Sequence, residues 1–290
     1  MSYILSFKRK GTVTPPLSDL VALGILPKQI SEFTNADIGT EISIPYTDAG
    51  GVISGPIIFE VVGVNHHTSD AYPQTITLMT KNIIRHAVFD AIEKGNPDFY
   101  RKSYGNNHWK CSNIRQWLNS SGAAGSWFTE KYENNEYDTS PTSDNVFNRY
   151  AVGAYADAPG FLAGFESEVL EHLTEITNIT ALHELDGGKS ETTVDKVFLP
   201  SLTEMGFGSN GEIAEGSPLS KFTDDVSRRK QLNGVAGFYW MRSPYTGLIG
   251  DTRVPSYVRN VRDSGGTYQE HASNVSPYTP RGIAPIIVLH

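Results

Sequence analysis

The apolar residues of this chain come in short runs that never lengthen into a sustained stripe, and Gly, Pro, Ser and Asn fill the spaces between them. Nothing recurs at the roughly 20–50-residue periods of stacked architectures. What fits is an α+β domain of short mixed or antiparallel strands, two to three helices and long ordered loops that carry the function. At 290 residues, 39% apolar and 19% charged, the chain can bury a core and lacks a disordered composition. No apolar run approaches the ~18 residues that would cross a bilayer.

Three β-branched runs, residues 41–44, 57–64 and 75–79, are parted by Gly-Gly, Gly-Pro and polar turns and read as a meander. A helix is expected next, from Ile84, Ala87, Val88, Ala91 and Ile92 at helical spacing with Gly95 at its end. A second is expected over 112–119, capped by Ser112 or Asn113, with Ile114, Trp117 and Leu118 on one face. A third is expected over 161–173, striped by Phe161, Phe165, Val169 and Leu173. Residues 130–150 read as a long surface loop. Further strands are expected at 194–199, 237–242, 257–262 and 284–289. Residues 1–36 look separable from a domain spanning 37–290. Pro15-Pro16 and Pro27 bracket a short apolar stretch there, either an arm for a neighbouring subunit or an extension tied onto its own domain.

Charge narrows the function classes. A net charge of −8 argues against generic nucleic-acid affinity. It is unevenly placed, since from Phe238 onward there are five Arg, no Lys and three acidic residues, with five of the 14 Tyr. Tyr and Arg without Lys is the composition of a recognition surface. A single cysteine, Cys111, allows no intrachain disulfide and fits folding in a reducing compartment. At the N-terminus, basic residues follow a short apolar stretch, the reverse of a signal peptide, so no cleaved leader is expected.

Motifs for chemistry are weak. Gly206, Gly208 and Gly211 match G-x-G-x-x-G, but an acidic stretch ending in Pro218 follows where a phosphate-binding helix should start. His66 and His67, with Asp70 nearby, are adjacent on a strand and point to opposite faces, a poor start for a shared metal. Cys111 with His108 could form a nucleophilic pair, although a cysteine before an amphipathic helix is usually a small packed residue. No nucleophile elbow G-x-S-x-G occurs. Three glycosylation sequons, at Asn119, Asn178 and Asn274, carry no weight without a secretion signal.

Several motifs occur in a fixed order: Tyr104-Gly105-Asn106-Asn107, the stretch from Ser112 to Ser120 containing Trp117-Leu118, Trp127-Phe128, and Asp195 to Glu204. After them come Tyr239-Trp240-Met241-Arg242-Ser243-Pro244 and a closing Gly282-Ile283-Ala284-Pro285. Over roughly 38–290 this resembles an uncharacterised bacterial domain family of Firmicutes and their prophages, in which the last two motifs usually read Y-W-L-R-S/T-P and G-V-R-P. The resemblance implies a C-type-lectin-like fold related to formylglycine-generating enzymes. It also implies a phage-tail location on the virion, with other tail subunits as partners and a homotrimer as the analogous assembly. Similar folds serve as receptor-binding tips and as the variable proteins of diversity-generating retroelements. The paired cysteines of the formylglycine-generating enzymes are missing, as are the calcium and sugar motifs of true lectins, and Ala284 stands where the family usually has Arg.

The resulting expectation is a non-catalytic binding protein, with no cofactor, metal or membrane insertion, that recognises a bacterial-surface protein or glycan. The alternatives are a structural baseplate component without a ligand and a formylglycine-generating-enzyme-like enzyme. Tyr245, Arg253, Tyr257, Arg259, Tyr268, His271 and Tyr278 are the candidate contacts, because Tyr among Ser, Asn and Gly gives large contact area at low entropy cost. Trp117, Trp240, Arg242 and Pro244 are assigned to the framework, with Arg242 holding a loop through backbone carbonyls.

Overall fold

A computed structural model describes residues 19–147, 153–274 and 281–290. In chain order it contains β1 (Glu41–Ile44), β2 (Ile57–Val64), β3 (Ile76–Thr80), β4 (Arg85–His86), α1 (Phe99–Tyr104), α2 (Asn113–Leu118) and α3 (Ser167–Glu171). There follow β5 (Ile176–Ala181), β6 (Ser190–Asp195), β7 (Val197–Phe198), α4 (Asp225–Arg228), β8 (Lys230–Leu232) and β9 (Val235–Pro244). The chain ends with β10 (Leu248–Ile249), β11 (Thr252–Arg253), β12 (Tyr257–Val261), β13 (Thr267–His271), β14 (Arg281–Ile283) and β15 (Ile286–Leu289). This is an α+β chain, mostly sheet, with short helices.

Two sheets dominate. One runs β1-β2-β3-β15-β7, the other β13-β12-β9-β14-β4 with β8 on β9, and β5-β6 and β10-β11 are separate hairpins. The meander β1-β2-β3 is antiparallel, and a bulge between Val61 and Gly63 interrupts the alternation of buried residues on β2. β14 and β15 are consecutive in sequence but belong to different sheets. Ala284-Pro285 makes the crossing, with the Pro285 carbonyl accepting from the Thr80 amide at 3.0 Å. Ala284 is fully buried at this crossing. The C-terminal strand thus lies inside the first sheet, between β3 and β7, and Trp109, Trp117 and Trp240 are all sealed in the shared core. Residues 19–36 join that core, with Leu20, Ile25, Leu26 and Phe33 buried.

The helix expected from Ile84 to Ile92 does not form. Ile83, Ala87, Val88, Phe89 and Ala91 are buried on all sides. The backbone amides there are taken by other segments: Ile84 by Ile283, Ala87 by Arg281, Val88 by Gly153 and Phe89 by Ala272. A segment buried all round satisfies helical spacing by accident, and tertiary hydrogen bonds decide its conformation. The 161–173 helix is broken into a 3-10 turn (Phe161–Gly164) and α3. The break falls where the Gly164 carbonyl accepts from Thr47, and where a Cβ on Gly164 would lie 2.3 Å from the Tyr46 ring. α2 forms where expected, and Ser112 is its cap, accepting from Arg115 at 3.3 Å. Helix α1 was not expected, although Asp98 caps its start and Gly105, with φ +78°, ends it. The 130–147 part of the expected surface loop is partly internal. Asn135 is buried and donates at 2.6 Å to Glu93, a fully buried carboxylate that also accepts from Asn96 and Asn106.

Candidate ligand-binding surface

β12 and β13 pair so that Tyr257 faces His271 and Arg259 faces Gln269, and these four side chains share one side of the sheet. All four are half-buried. On that side the rings form a continuous strip. Tyr257 stacks on His271 at 4.3 Å and His271 stacks on Tyr104 at 4.0 Å, with planes within 21° and 15° of parallel. Phe147 meets Tyr104 edge-on at 4.6 Å. In the other direction Tyr245 meets Tyr257 edge-on at 6.4 Å, and the Arg259 guanidinium lies 4.5 Å over the Tyr245 ring. The Tyr245 amide donates to the Tyr257 carbonyl at 2.8 Å, so the strip is fixed by backbone as well as by stacking.

Burial lowers the His271 pKa against the opposing charge of Glu270, so the ring is neutral at pH 7 and serves as a flat aromatic spacer. The Ser256 hydroxyl lies 2.7 Å from His271 Nδ1 and fixes the ring's orientation. Arg259 has no carboxylate partner among the described residues, and its half-buried guanidinium lies against the Tyr245 ring.

Of the seven residues read from the sequence, Tyr245, Tyr257, Arg259 and His271 therefore come together. Tyr268 pairs with Asn260 and lies on the opposite side of the sheet, near Arg262. Arg253 sits on the β10-β11 hairpin and is held 2.7 Å from Glu184. Tyr278 lies outside the described residues. Tyr104 and Phe147 complete the strip and were missed. Tyr104 comes from α1, whose cap residues, Asp98 and Gly105, could have revealed it; for Phe147 no sequence signal exists.

The framework residues are all buried. Trp240 donates from Nε1 to Ala87 O at 2.8 Å, and Trp117 from Nε1 to Pro159 O at 2.7 Å. The Pro244 carbonyl accepts from Asn210 at 2.7 Å. Arg242 donates to the carbonyls of Leu199 and Glu215, but its main partner is a carboxylate. Nη1 and Nη2 reach the two oxygens of Glu204 at 2.6 and 2.7 Å. Burial alone would raise the Glu204 pKa, yet the Arg242 charge, helped by His67, holds it well below the usual carboxylate range. His67 also touches Thr77 at 3.0 Å, and His66 approaches Ser217, so the two imidazoles serve separate contacts. Among the described residues no group of three or more His, Cys, Asp or Glu side chains is arranged to hold a metal. Gly206, Gly208 and Gly211 all have positive φ in a turn that no helix follows.

Cys111 Sγ lies 3.6 Å from His108 Nδ1, whose other nitrogen bonds Glu191, while Asp186 stands 3.7 Å away. Burial pulls the His108 pKa down. The hydrogen bonds to Cys111 and Glu191 and the charge of Asp186 outweigh it and raise the pKa to about 10. Such an imidazolium can stabilise negative charge on sulfur, but it holds its proton too tightly to act as a general base at neutral pH. Because the folded value exceeds the unfolded 6.5, this contact's stabilisation is complete below pH 6.5 and fades as pH rises towards 10. Glu191→Gln is expected to lower the His108 pKa and to flatten the fall in stability over that window. Ring-proton NMR titration and denaturation at several pH values read the two effects. An unchanged titration would show that Glu191 does not hold the proton.

The fold and the strip together define an α+β domain that presents a packed aromatic strip beside β12 and β13. The chain belongs to the family described as Domain of unknown function (DUF6273), whose profile matches residues 74–290. The matched stretch contains every residue of the strip. No curated protein and no solved structure matches the chain. Among the described residues no helix is long and apolar enough to cross a membrane.

Proposed function

We propose that this chain is a non-catalytic binding protein of C-type-lectin-like fold, carried on a phage or prophage tail, whose aromatic strip recognises a bacterial-surface protein or glycan. The observation that carries this reading is the strip itself: Phe147, Tyr104, His271, Tyr257 and Tyr245 in unbroken contact, ending in the Arg259 cation. Aromatic rings and Arg are the residue types that concentrate binding energy. Rings already stacked on each other lose little freedom when a ligand arrives, which removes part of the cost of association. The central ring faces are spent on one another, so edges and phenol oxygens are what the ligand meets. That favours hydrogen-bonding groups over flat apolar ones.

The test is binding of the purified protein to host cells. Replacing Tyr245, Tyr257 and Arg259 together with Ala is expected to weaken binding by more than about 30-fold, the loss of roughly 2 kcal/mol of anchor energy. Tyr268→Ala, on the opposite side of the sheet, is expected to change it little. Unchanged binding by a triple variant that retains its circular dichroism would overturn the assignment.

A thiol-dependent enzyme is the second reading, favoured by the Cys111–His108–Glu191 alignment. The two carboxylates around His108 weigh against it, since they keep the imidazole from accepting the thiol proton. Cys111→Ser should leave cell binding intact under the first reading.

A further inference from the structure

Beside β4, two adjoining cavities of about 620 and 320 Å³ share Val52, Arg85 and Ala154 as a common wall. Arg85 is only 6% exposed, and its guanidinium carbon lies 5.5 Å from the centres of both the Trp117 and Tyr155 rings. Buried charges are ordinarily paired. Among the described residues, however, Arg85 has no carboxylate within ion-pair distance. Its hydrogen bonds are two long ones, from Nε to His86 O and from Nη2 to Ala154 O, both 3.4 Å. Asp48, whose charge acts on Arg85, is already committed, accepting from the amides of Gly50, Val52 and Ile53 at 2.6–2.8 Å. A second polar group at the same place is also unspent. Tyr155, which lines the smaller cavity, is 3% exposed, and its hydroxyl has no hydrogen-bond partner among the described residues.

An unpaired guanidinium and an orphaned phenol on the wall of a cavity form half of an anion site. The larger cavity is walled by Ile57, Ile58 and Leu232 together with Asn82, His86 and Asn233, a mixed lining that accepts a short organic body. The smaller one is also lined by Asp48 and the exposed Asp157, which disfavour a doubly charged group. We infer that Arg85 and Tyr155 form the head-group site for a small monocarboxylate with an aliphatic or aromatic body, separate from the aromatic strip. The planar carboxylate matches the fork of the guanidinium, and the phenol donates to one of its oxygens. Arg85 would then gain the counter-charge that the described residues do not supply.

The probe is sodium hexanoate, titrated calorimetrically into the full chain at constant ionic strength, with hexanol and hexyl phosphate as comparisons. Saturable binding with Kd on the order of 1 mM or tighter is expected, with hexanol at least ~10-fold weaker because it offers no charge. Arg85→Gln is expected to lose at least ~10-fold in affinity and Tyr155→Phe a smaller factor. Arg85 also packs between two rings, so its replacement can fail to fold. Val52→Phe then decides, because Val52 is 57% exposed and walls both cavities, so a larger side chain blocks them without entering the core. No saturable hexanoate binding, equal binding by hexanol, or unchanged affinity in Val52→Phe and a folded Arg85→Gln would each overturn the site. Hexyl phosphate binding more tightly than hexanoate would overturn the monocarboxylate assignment.

Discussion

Glu204→Gln is expected to destabilise the protein by about 3–5 kcal/mol, because it strands a fully buried guanidinium. Arg242 is inaccessible to solvent, and Glu204 supplies both of its carboxylate contacts. Glutamine offers one neutral oxygen in place of two charged ones, and the carbonyls of Leu199 and Glu215 do not neutralise a full charge. Arg242→Met is expected to cost a similar amount, for it leaves Glu204 as a buried carboxylate with only the Ser201 amide at 2.9 Å and His67 at 3.6 Å beside it. The double variant should be less unstable than the sum of the two, since removing both charges also removes the desolvation cost of each. Urea denaturation of the four proteins measures this coupling. Single costs below about 1 kcal/mol would show that the pair does not anchor the loop. The pH dependence has a definite sign. The folded pKa of Glu204 lies below its ordinary 4.5, so the wild-type pair contributes above pH 4.5 and its contribution is lost as the solution is acidified. Glu204→Gln should therefore be less sensitive to acid as well as less stable.

This ion pair also shows where sequence reasoning reached and where it stopped. Arg242 was legible as a framework residue because a strand-borne Arg beside Trp240 and Pro244 needs many acceptors. Glu204 was not assignable as its partner, for 38 residues separate them and nothing local pairs a carboxylate with a distant fork. The meander β1-β2-β3 was legible from its β-branched runs and the turn residues between them, and α2 from its Ser112 cap, because these signals are local. The segment after Ile83 was misread as a helix, since its amides are claimed by Arg281, Ile283, Gly153 and Ala272 from elsewhere in the chain. The strip divides the same way. Tyr257 and Arg259 alternate along one strand, which places them together from sequence alone. Tyr268 is set apart only by the register of β13 on β12, which places it opposite Asn260. Tyr104 reaches the strip from a helix more than a hundred residues earlier, through a stacking contact that no local pattern encodes.

Trp240→Ala is expected to cost about 3–5 kcal/mol, the range for emptying a sealed core position of its largest side chain. The loss has two parts. The indole packs 6.1 Å from Phe89 beneath the β9-β12 pair, and its Nε1 satisfies the Ala87 carbonyl in a segment that has no helix of its own. Trp240→Phe keeps much of the volume and abandons the hydrogen bond, so it should lose less, with the carbonyl left unsatisfied in a dry site. The pair of variants separates a framework role from a contact role. Trp240 is opposite Asn260 on β12, one residue from Arg259, so the strip depends on its packing without including it. At a temperature where Trp240→Phe is fully folded, its binding to host cells should equal that of the wild type, while its thermal midpoint is lower. Removing Tyr245, Tyr257 and Arg259 should do the reverse, lowering binding with little change in midpoint, because those side chains are only half-buried. A Trp240→Phe protein that keeps its midpoint but loses cell binding would place Trp240 against the ligand, and the recognition surface would have to move from the outer face of β12 to β9.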